Sequence, residues 1–149
     1  MDYKPKPFFN AVHAYPEFKD IFKKFCDMAT KKLNGNEHLP NVTISVKADG
    51  ASATLKALDR NFDISFRFLN VNNTLWGVIE ASLPGETKEP VRLFHYLFDR
   101  NGNVFETLDR TSGFHSAFST EFVIAFLDQL TEKYFFHLSG VLKLIEGNR

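Results

Sequence analysis

Apolar residues recur at intervals of three and four between residues 16 and 33, which is the spacing that places side chains on one side of an α-helix. Pro16 suits the first helical position, and Asn34-Gly35 supplies a stop signal after the last apolar residue. The pattern therefore predicts a helix over 16–33. Its apolar side is made of Phe18, Ile21, Phe22, Phe25, Met28, Ala29 and Leu33.

Between residues 41 and 69 the pattern changes to strict alternation of apolar and polar residues, which indicates half-buried β-strands. Asp49-Gly50 fits a two-residue type I′ turn, and such a turn dictates how its two strands pair. Lys47 then faces Ser52 on the polar side of the hairpin. On the other side apolar residues face one another, and the predicted pairs are Val46 with Ala53, Ile44 with Leu55 and Val42 with Ala57.

A third antiparallel strand follows, and we predict an even-length turn around Arg60-Asn61 between it and the second strand. This turn sets Ala57 against Ile64, so that small residues face large ones. The predicted pairs are Ala57 with Ile64, Leu55 with Phe66 and Ala53 with Phe68.

Further strands are predicted at about 74–82, 91–98 and 103–108. The sequence DRNGN joins the last two. In it Asp99 opens a type I turn and Gly102 takes the left-handed conformation.

A second helix is predicted near the C-terminal end of the sequence. Ser119 or Thr120 can cap it, and Glu121 stands in its first turn. We expect Ser139-Gly140 to break or kink the helix. Its apolar residues keep a spacing of three or four, and they are Val123, Leu127, Leu130, Tyr134, Leu138, Val141 and Ile145.

Together these elements indicate an α+β fold. It consists of an N-terminal helix, an antiparallel meander of five to six strands and a C-terminal helical segment packed on the sheet. The segment 111–119 is expected to be a loop, and residues 1–149 are expected to form a single domain because no linker interrupts them.

The later strands are apolar at both odd and even positions. Two helical segments cannot cover both faces of such a sheet. The sheet must therefore curl around its own C-terminal helix, bind a second copy or another protein, or bind an apolar ligand. We predict a binding surface formed by the even-numbered residues of these strands, which are Trp76, Val78, Phe94, Tyr96 and Phe98.

Composition narrows the classes of function. The chain has 44% hydrophobic and 24% charged residues, as globular domains do, and its 18 basic and 18 acidic residues cancel. Net charge therefore favours neither nucleic acid nor a membrane surface as a partner. With no long uncharged apolar run and no secretory signal in MDYKPKPFF, a cytoplasmic location is the expectation.

The stretch Lys47-Ala48-Asp49-Gly50 contains the pattern K-x-D-G. It resembles the motif of ATP-dependent DNA and RNA ligases and capping enzymes, in which the lysine bonds covalently to a nucleotide. The resemblance covers four residues, and Ser52 stands where that family has arginine. It would make Lys47 a nucleophile, whereas the predicted hairpin places Lys47 on a polar face without a basic neighbour. We interpret the stretch as a turn.

Five histidines stand at 13, 38, 95, 115 and 137, none at the spacing of a helical metal site, and Cys26 is the single cysteine. We therefore expect no metal and no cofactor. The candidate catalytic residues are His95 and Tyr96 on one strand and Glu106 on the next, since residues across a hairpin lie within reach of one another.

These observations favour a non-enzymatic intracellular domain that binds another protein or a second copy of itself through its apolar sheet face. Chaperones, immunity proteins and regulatory domains are of this size, which is an analogy of class alone. The alternative is a small-molecule-binding or hydrolytic domain, with a pocket between the curled sheet and a helix that contains His95, Tyr96 and Glu106.

Overall fold

The computed structural model describes residues 6–84, 89–108 and 115–147. Seven antiparallel strands follow one another in chain order in a curled sheet, so the predicted α+β meander between two helices is confirmed. The seventh strand lies in the segment predicted to be a loop. The elements are α1 (Lys6–Leu33), β1 (Thr43–Val46), β2 (Ser52–Ala57), β3 (Arg60–Val71), β4 (Thr74–Leu83), β5 (Val91–Phe98), β6 (Asn103–Phe105), β7 (His115–Ser116) and α2 (Thr120–Gly147).

Helix α1 begins ten residues earlier than predicted, and Pro16 lies inside it. An internal proline costs a helix about 3 kcal/mol, so the upstream turns need support from packing. Ala14 is buried, and the Tyr15 ring lies 5.8 Å from the ring of Phe66 and 5.7 Å from that of Phe68. These contacts hold the segment before Pro16 against the sheet.

The predicted stop of α1 is confirmed, because Gly35 has a φ of 72° directly after the helix. Asn34 also ties the end of α1 to β1. Its side-chain oxygen accepts a hydrogen bond from the Ile44 N–H at 2.8 Å, and its side-chain nitrogen donates to the Ile44 carbonyl at 3.1 Å.

The predicted register of β1 with β2 is confirmed by Val46 opposite Ala53 and Ile44 opposite Leu55, while Val42, predicted to pair with Ala57, lies before the start of β1. The type I′ turn is wrong, because only Gly50 in this connection has a positive φ. The Gly50 N–H donates to the Lys47 carbonyl at 3.0 Å, and the Ala51 N–H donates to the Asp49 carboxylate at 2.9 Å, which lowers the pKa of Asp49. The observed connection is longer than a two-residue turn, but it is centred on the same residues, Asp49-Gly50, so the pairing of the two strands is unchanged.

The predicted pairing of β2 with β3 is wrong by four residues. Ala53 pairs with Ile64, and Ala57 pairs with Arg60 instead of Ile64. The turn is Leu58-Asp59, with φ values of 55° and 56°, a conformation that asparagine and glycine adopt more readily than leucine. An error of an even number of residues leaves every side chain on its predicted face.

Both helices cover the same face of the sheet and share a phenylalanine-rich core with it. The Phe25 ring of α1 lies 5.2 Å from Phe122 and 5.3 Å from Phe126, both on α2. Phe98 of β5 packs against Phe18 of α1, with ring centroids 5.8 Å apart, and lies over Gly77 of β4, where a Cβ atom would come within 2.0 Å of the ring. Gly77 therefore provides the space for Phe98.

Helix α2 begins as predicted, with the Phe122 N–H donating to Ser119 Oγ at 3.1 Å. The expected break at Ser139-Gly140 is wrong, since the helix runs without interruption to Gly147. Among the side chains of α2 whose burial is described, Tyr134 is the last one that is buried on the sheet. Its hydroxyl accepts a hydrogen bond from Arg60 Nε at 3.2 Å, and its ring lies 5.3 Å from Phe62.

Candidate functional site

The five residues of the predicted binding surface lie on two different faces. Ile79 of β4 pairs with Tyr96 of β5, and Val78 pairs with Leu97, so odd positions of β4 share a face with even positions of β5. Phe94, Tyr96 and Phe98 therefore lie beneath the helices, while Trp76 and Val78 lie on the opposite, open face. The prediction assumed that all even-numbered residues lie on the same face of the sheet. This is true along one strand but not between two strands.

The apolar residues Trp76, Val78, Leu97 and Phe105 of the open face are buried within the protomer. Trp76 is 3% exposed and packs edge-on against Phe105, with ring centroids 6.0 Å apart. Burial within one protomer removes the premise of the predicted docking surface, which was that these strands leave a broad apolar face exposed.

The structure separates His95 from Tyr96, whereas Glu106 is near enough to act on Tyr96 through its charge. His95 is exposed on the open face, opposite Glu80, whereas Tyr96 is buried against Phe122 of α2 at 5.1 Å between ring centroids. Glu106 is exposed just after β6. Burial raises the pKa of Tyr96, and the negative charge of Glu106 raises it further. Tyr96 therefore keeps its proton at neutral pH, and it lies on the face of the sheet opposite to His95.

The core between the sheet and the helices is nearly filled where the described residues border its internal void. The void beneath α1 and α2, bordered by Phe25, Leu33 and Ile44, measures ≈ 10 Å³. A single water molecule already needs about 10–15 Å³ by this kind of measure. The core at this position is closed to small molecules.

A larger space lies outside the core, along the N-terminal half of α1. It is an open groove of ≈ 690 Å³ between α1 and the tips of the β3–β4 and β5–β6 hairpins. A salt bridge of 3.1 Å between Glu17 and Arg100 joins α1 to the β5–β6 hairpin within it. Its remaining polar residues include Asn10, His13, Asn73 and Asn101.

The sequence prediction also missed an apolar surface on the second half of α2. At 3.6 residues per turn, Leu138 and Val141 lie within about 40° of Tyr134 around the helix axis. They continue the side of α2 that packs on the sheet, yet Leu138 is 37% exposed and Val141 is 41% exposed. With the flanking residues Phe135 and Leu142, which are 51% and 56% exposed, they form what we call the α2 stripe.

A second exposed apolar cluster occupies the other helix. Phe8, Phe9 and Val12 at the start of α1 are all more than half exposed. They lie on the side of the molecule away from Tyr134, because Tyr15 contacts the end of β3 whereas Tyr134 contacts its beginning. The two helices thus extend apolar ends beyond the sheet in different places.

Lys47 is exposed at the tip of the first hairpin, and its backbone N–H donates to the Ser52 carbonyl at 2.9 Å. This geometry agrees with a turn. Within the described ranges, no three histidine, cysteine, aspartate or glutamate side chains are grouped as a metal site would require. In the same part of the chain, neither helix combines the length and hydropathy that crossing a bilayer needs.

Comparisons with known proteins give no relative from which a function could be transferred. No protein-family model, no curated protein sequence and no solved structure matches the chain.

Proposed function

We propose that the protein is a non-enzymatic binding domain that holds another protein chain through the α2 stripe. The single observation that carries the proposal is the continuity of one apolar side along α2. This side is buried up to Tyr134, which is 6% exposed, and it is exposed at Leu138 and Val141, the next described residues along it. A contiguous exposed apolar patch of this kind is often a site of contact with a partner protein.

A partner chain fits this surface better than a small ligand does. The stripe lies along a convex helix and offers no concave pocket, whereas small-molecule sites are clefts that enclose their ligand. An amphipathic helix presenting anchors at intervals of three and four is a recurrent way to bind a groove or another helix. Leu138, Val141 and Leu142 supply such anchors.

The proposal can be tested by photo-crosslinking in the native host. Leu142 is replaced with p-benzoylphenylalanine, and Phe136 is replaced in the same way as the control. Phe136 lies on the opposite side of α2 and is 78% exposed, more than Leu142. We expect a protein adduct from position 142 and little from position 136. Equal adducts, or an adduct at 136 alone, would show that exposure and not the stripe decides contact.

The groove beside α1 supports a second candidate function, the binding of a small hydrophilic molecule. Its ≈ 690 Å³ is within the size range of ligand sites, although its walls are more polar than most such sites. Glu17 pairs with Arg100 there, and Asp99 adds one further negative charge to the lining. A ligand that combines hydroxyl or amide groups with an amine suits this carboxylate, the asparagines and His13.

A thermal-shift screen with monosaccharides and free amino acids tests this second candidate, because a ligand that binds the folded form raises the melting temperature. An authentic groove ligand should lose its effect in His13→Ala and keep it in Phe136→Ala. Absence of any shift across the panel at millimolar concentration would argue against the groove as a ligand site.

A further inference from the structure

We infer that the chain held by the α2 stripe is a second copy of the same protein, with the two α2 helices running antiparallel. This inference rests on the proposed function and names its partner. It follows from the spacing of the stripe, from the position of the folded body at one end of it, and from its charge and area.

The stripe is complementary to itself. Phe135, Leu138 and Leu142 are exposed and are spaced by three and then four residues, the alternation by which side chains of one helix fit between those of another. In a twofold dimer every contact occurs twice, with the two residues exchanged. When two such helices run in opposite directions, Leu138 of one copy meets Val141 of the other, and Val141 meets Leu138. Phe135 and Leu142 of the two copies then pack together along one flank.

The folded body determines the direction. The hydrogen bond from Arg60 to Tyr134 holds α2 against the sheet directly before the N-terminal end of the stripe. A parallel pair would place both sheets side by side at that end, whereas an antiparallel pair places them at opposite ends of the joined helices. Opposed helix dipoles also attract each other, and aligned ones repel.

Charge and area are consistent with a second copy. The stripe contains no charged residue, and the chain carries 18 basic and 18 acidic residues, so two copies do not repel each other. From the exposed fractions of its four side chains, the stripe offers roughly 300 Å² of apolar surface per protomer. Two copies with an ordinary polar rim would bury about 1,000 Å² in total, near the lower limit for a specific interface. A weak, concentration-dependent dimer is therefore expected.

Disulfide trapping tests the arrangement directly. The single variants Leu138→Cys and Val141→Cys are mixed in equal amounts and oxidised, and the products are separated by mass. Native Cys26 is buried, and burial raises its pKa to about 12, so it contributes no thiolate at neutral pH. We expect the mixed 138–141 disulfide to exceed either same-variant disulfide several-fold. Predominance of 138–138 and 141–141 products would indicate parallel helices and overturn the inference.

Sedimentation equilibrium of the unmodified protein provides the second measurement. Between about 1 and 300 µM the mean mass should rise from monomer toward dimer. Leu138→Glu should weaken association at least tenfold, while Phe136→Glu, the same chemistry on the other side of α2, should change it less than twofold. A protein that stays monomeric throughout rules out the second copy. If position 142 still crosslinks to a different protein in cells, the proposed function survives without this inference.

Discussion

The two halves of α2 carry the same apolar periodicity in different surroundings. Up to Tyr134 the helix packs on the sheet and on α1, and Phe122 and Phe126 are almost inaccessible to solvent. After Tyr134 the same side of the helix leaves the sheet, and Leu142 is more than half exposed. Periodicity thus indicates that a helix forms and which side is apolar, while the extent of the sheet decides how much of that side is covered.

The largest expected difference between the halves concerns their phenylalanines. Phe126→Ala should lower the free energy of unfolding by about 3–5 kcal/mol, because it leaves a cavity between α1, α2 and the sheet. Phe136→Ala should change it by less than about 0.5 kcal/mol, as surface substitutions generally do. Urea denaturation followed by circular dichroism measures both values. Similar losses for the two variants would mean that the second half is buried in solution.

Serine substitutions compare the two halves at a smaller scale. Ser119→Ala removes the cap that accepts the Phe122 N–H and should cost about 1 kcal/mol. Ser139→Ala replaces an exposed residue inside the helix with the best helix former and should stabilise it by up to about 0.5 kcal/mol. Thermal denaturation of the pair reports the signs. A loss from Ser139→Ala would reveal a contact of the second half.

The boundary between the halves can be tested at Tyr134. Tyr134→Phe deletes the acceptor of the Arg60 hydrogen bond but keeps the ring against Phe62, so a loss of about 0.5–1 kcal/mol is expected. In Arg60→Leu the same substitution should cost little, because the hydrogen bond is already absent. Chemical denaturation of the four proteins gives the coupling. A coupling near zero would mean that this hydrogen bond does not anchor α2.

The smallest expected effect is a gain at Gly140. A Cβ atom there meets nothing within 4 Å, and alanine favours a helix interior by about 1 kcal/mol over glycine. Because the second half can fray without unfolding the core, Gly140→Ala should add less than about 0.5 kcal/mol to global stability. Hydrogen exchange should slow mainly after Tyr134. Slower exchange throughout the sheet would show that the two halves unfold together.

Local pattern was sufficient for much of the fold. A turn centred on Asp49-Gly50 predicted the β1–β2 register correctly although the turn type was wrong, and the DRNGN sequence predicted the turn in which Gly102, at a φ of 82°, donates its N–H to the Asp99 carbonyl. Both predictions depend on residues with strong conformational preferences. Leu58 has no such preference for a left-handed turn, so the β2–β3 register could not be predicted from it.

Predicting the site required relations between elements that are distant in sequence. The alternation within β4 and within β5 was visible, but the face shared by Val78 and Leu97 follows from the register between the strands. The exposed α2 stripe had a visible signal as well, since its apolar spacing continues past Tyr134. Whether Leu138 meets the sheet depends on where α2 crosses it, which is a property of the tertiary structure.

The side chain of Asn34 has a consequence for the outer margin of the sheet. It forms hydrogen bonds with both the N–H and the carbonyl of Ile44, which point away from β2, as the backbone of a neighbouring strand would. A sheet margin with free backbone groups is a template onto which unfolded or foreign chains can add and aggregate. The side-chain amide of Asn34 makes the hydrogen bonds that one residue of an added strand would make. It therefore blocks strand addition at the centre of β1.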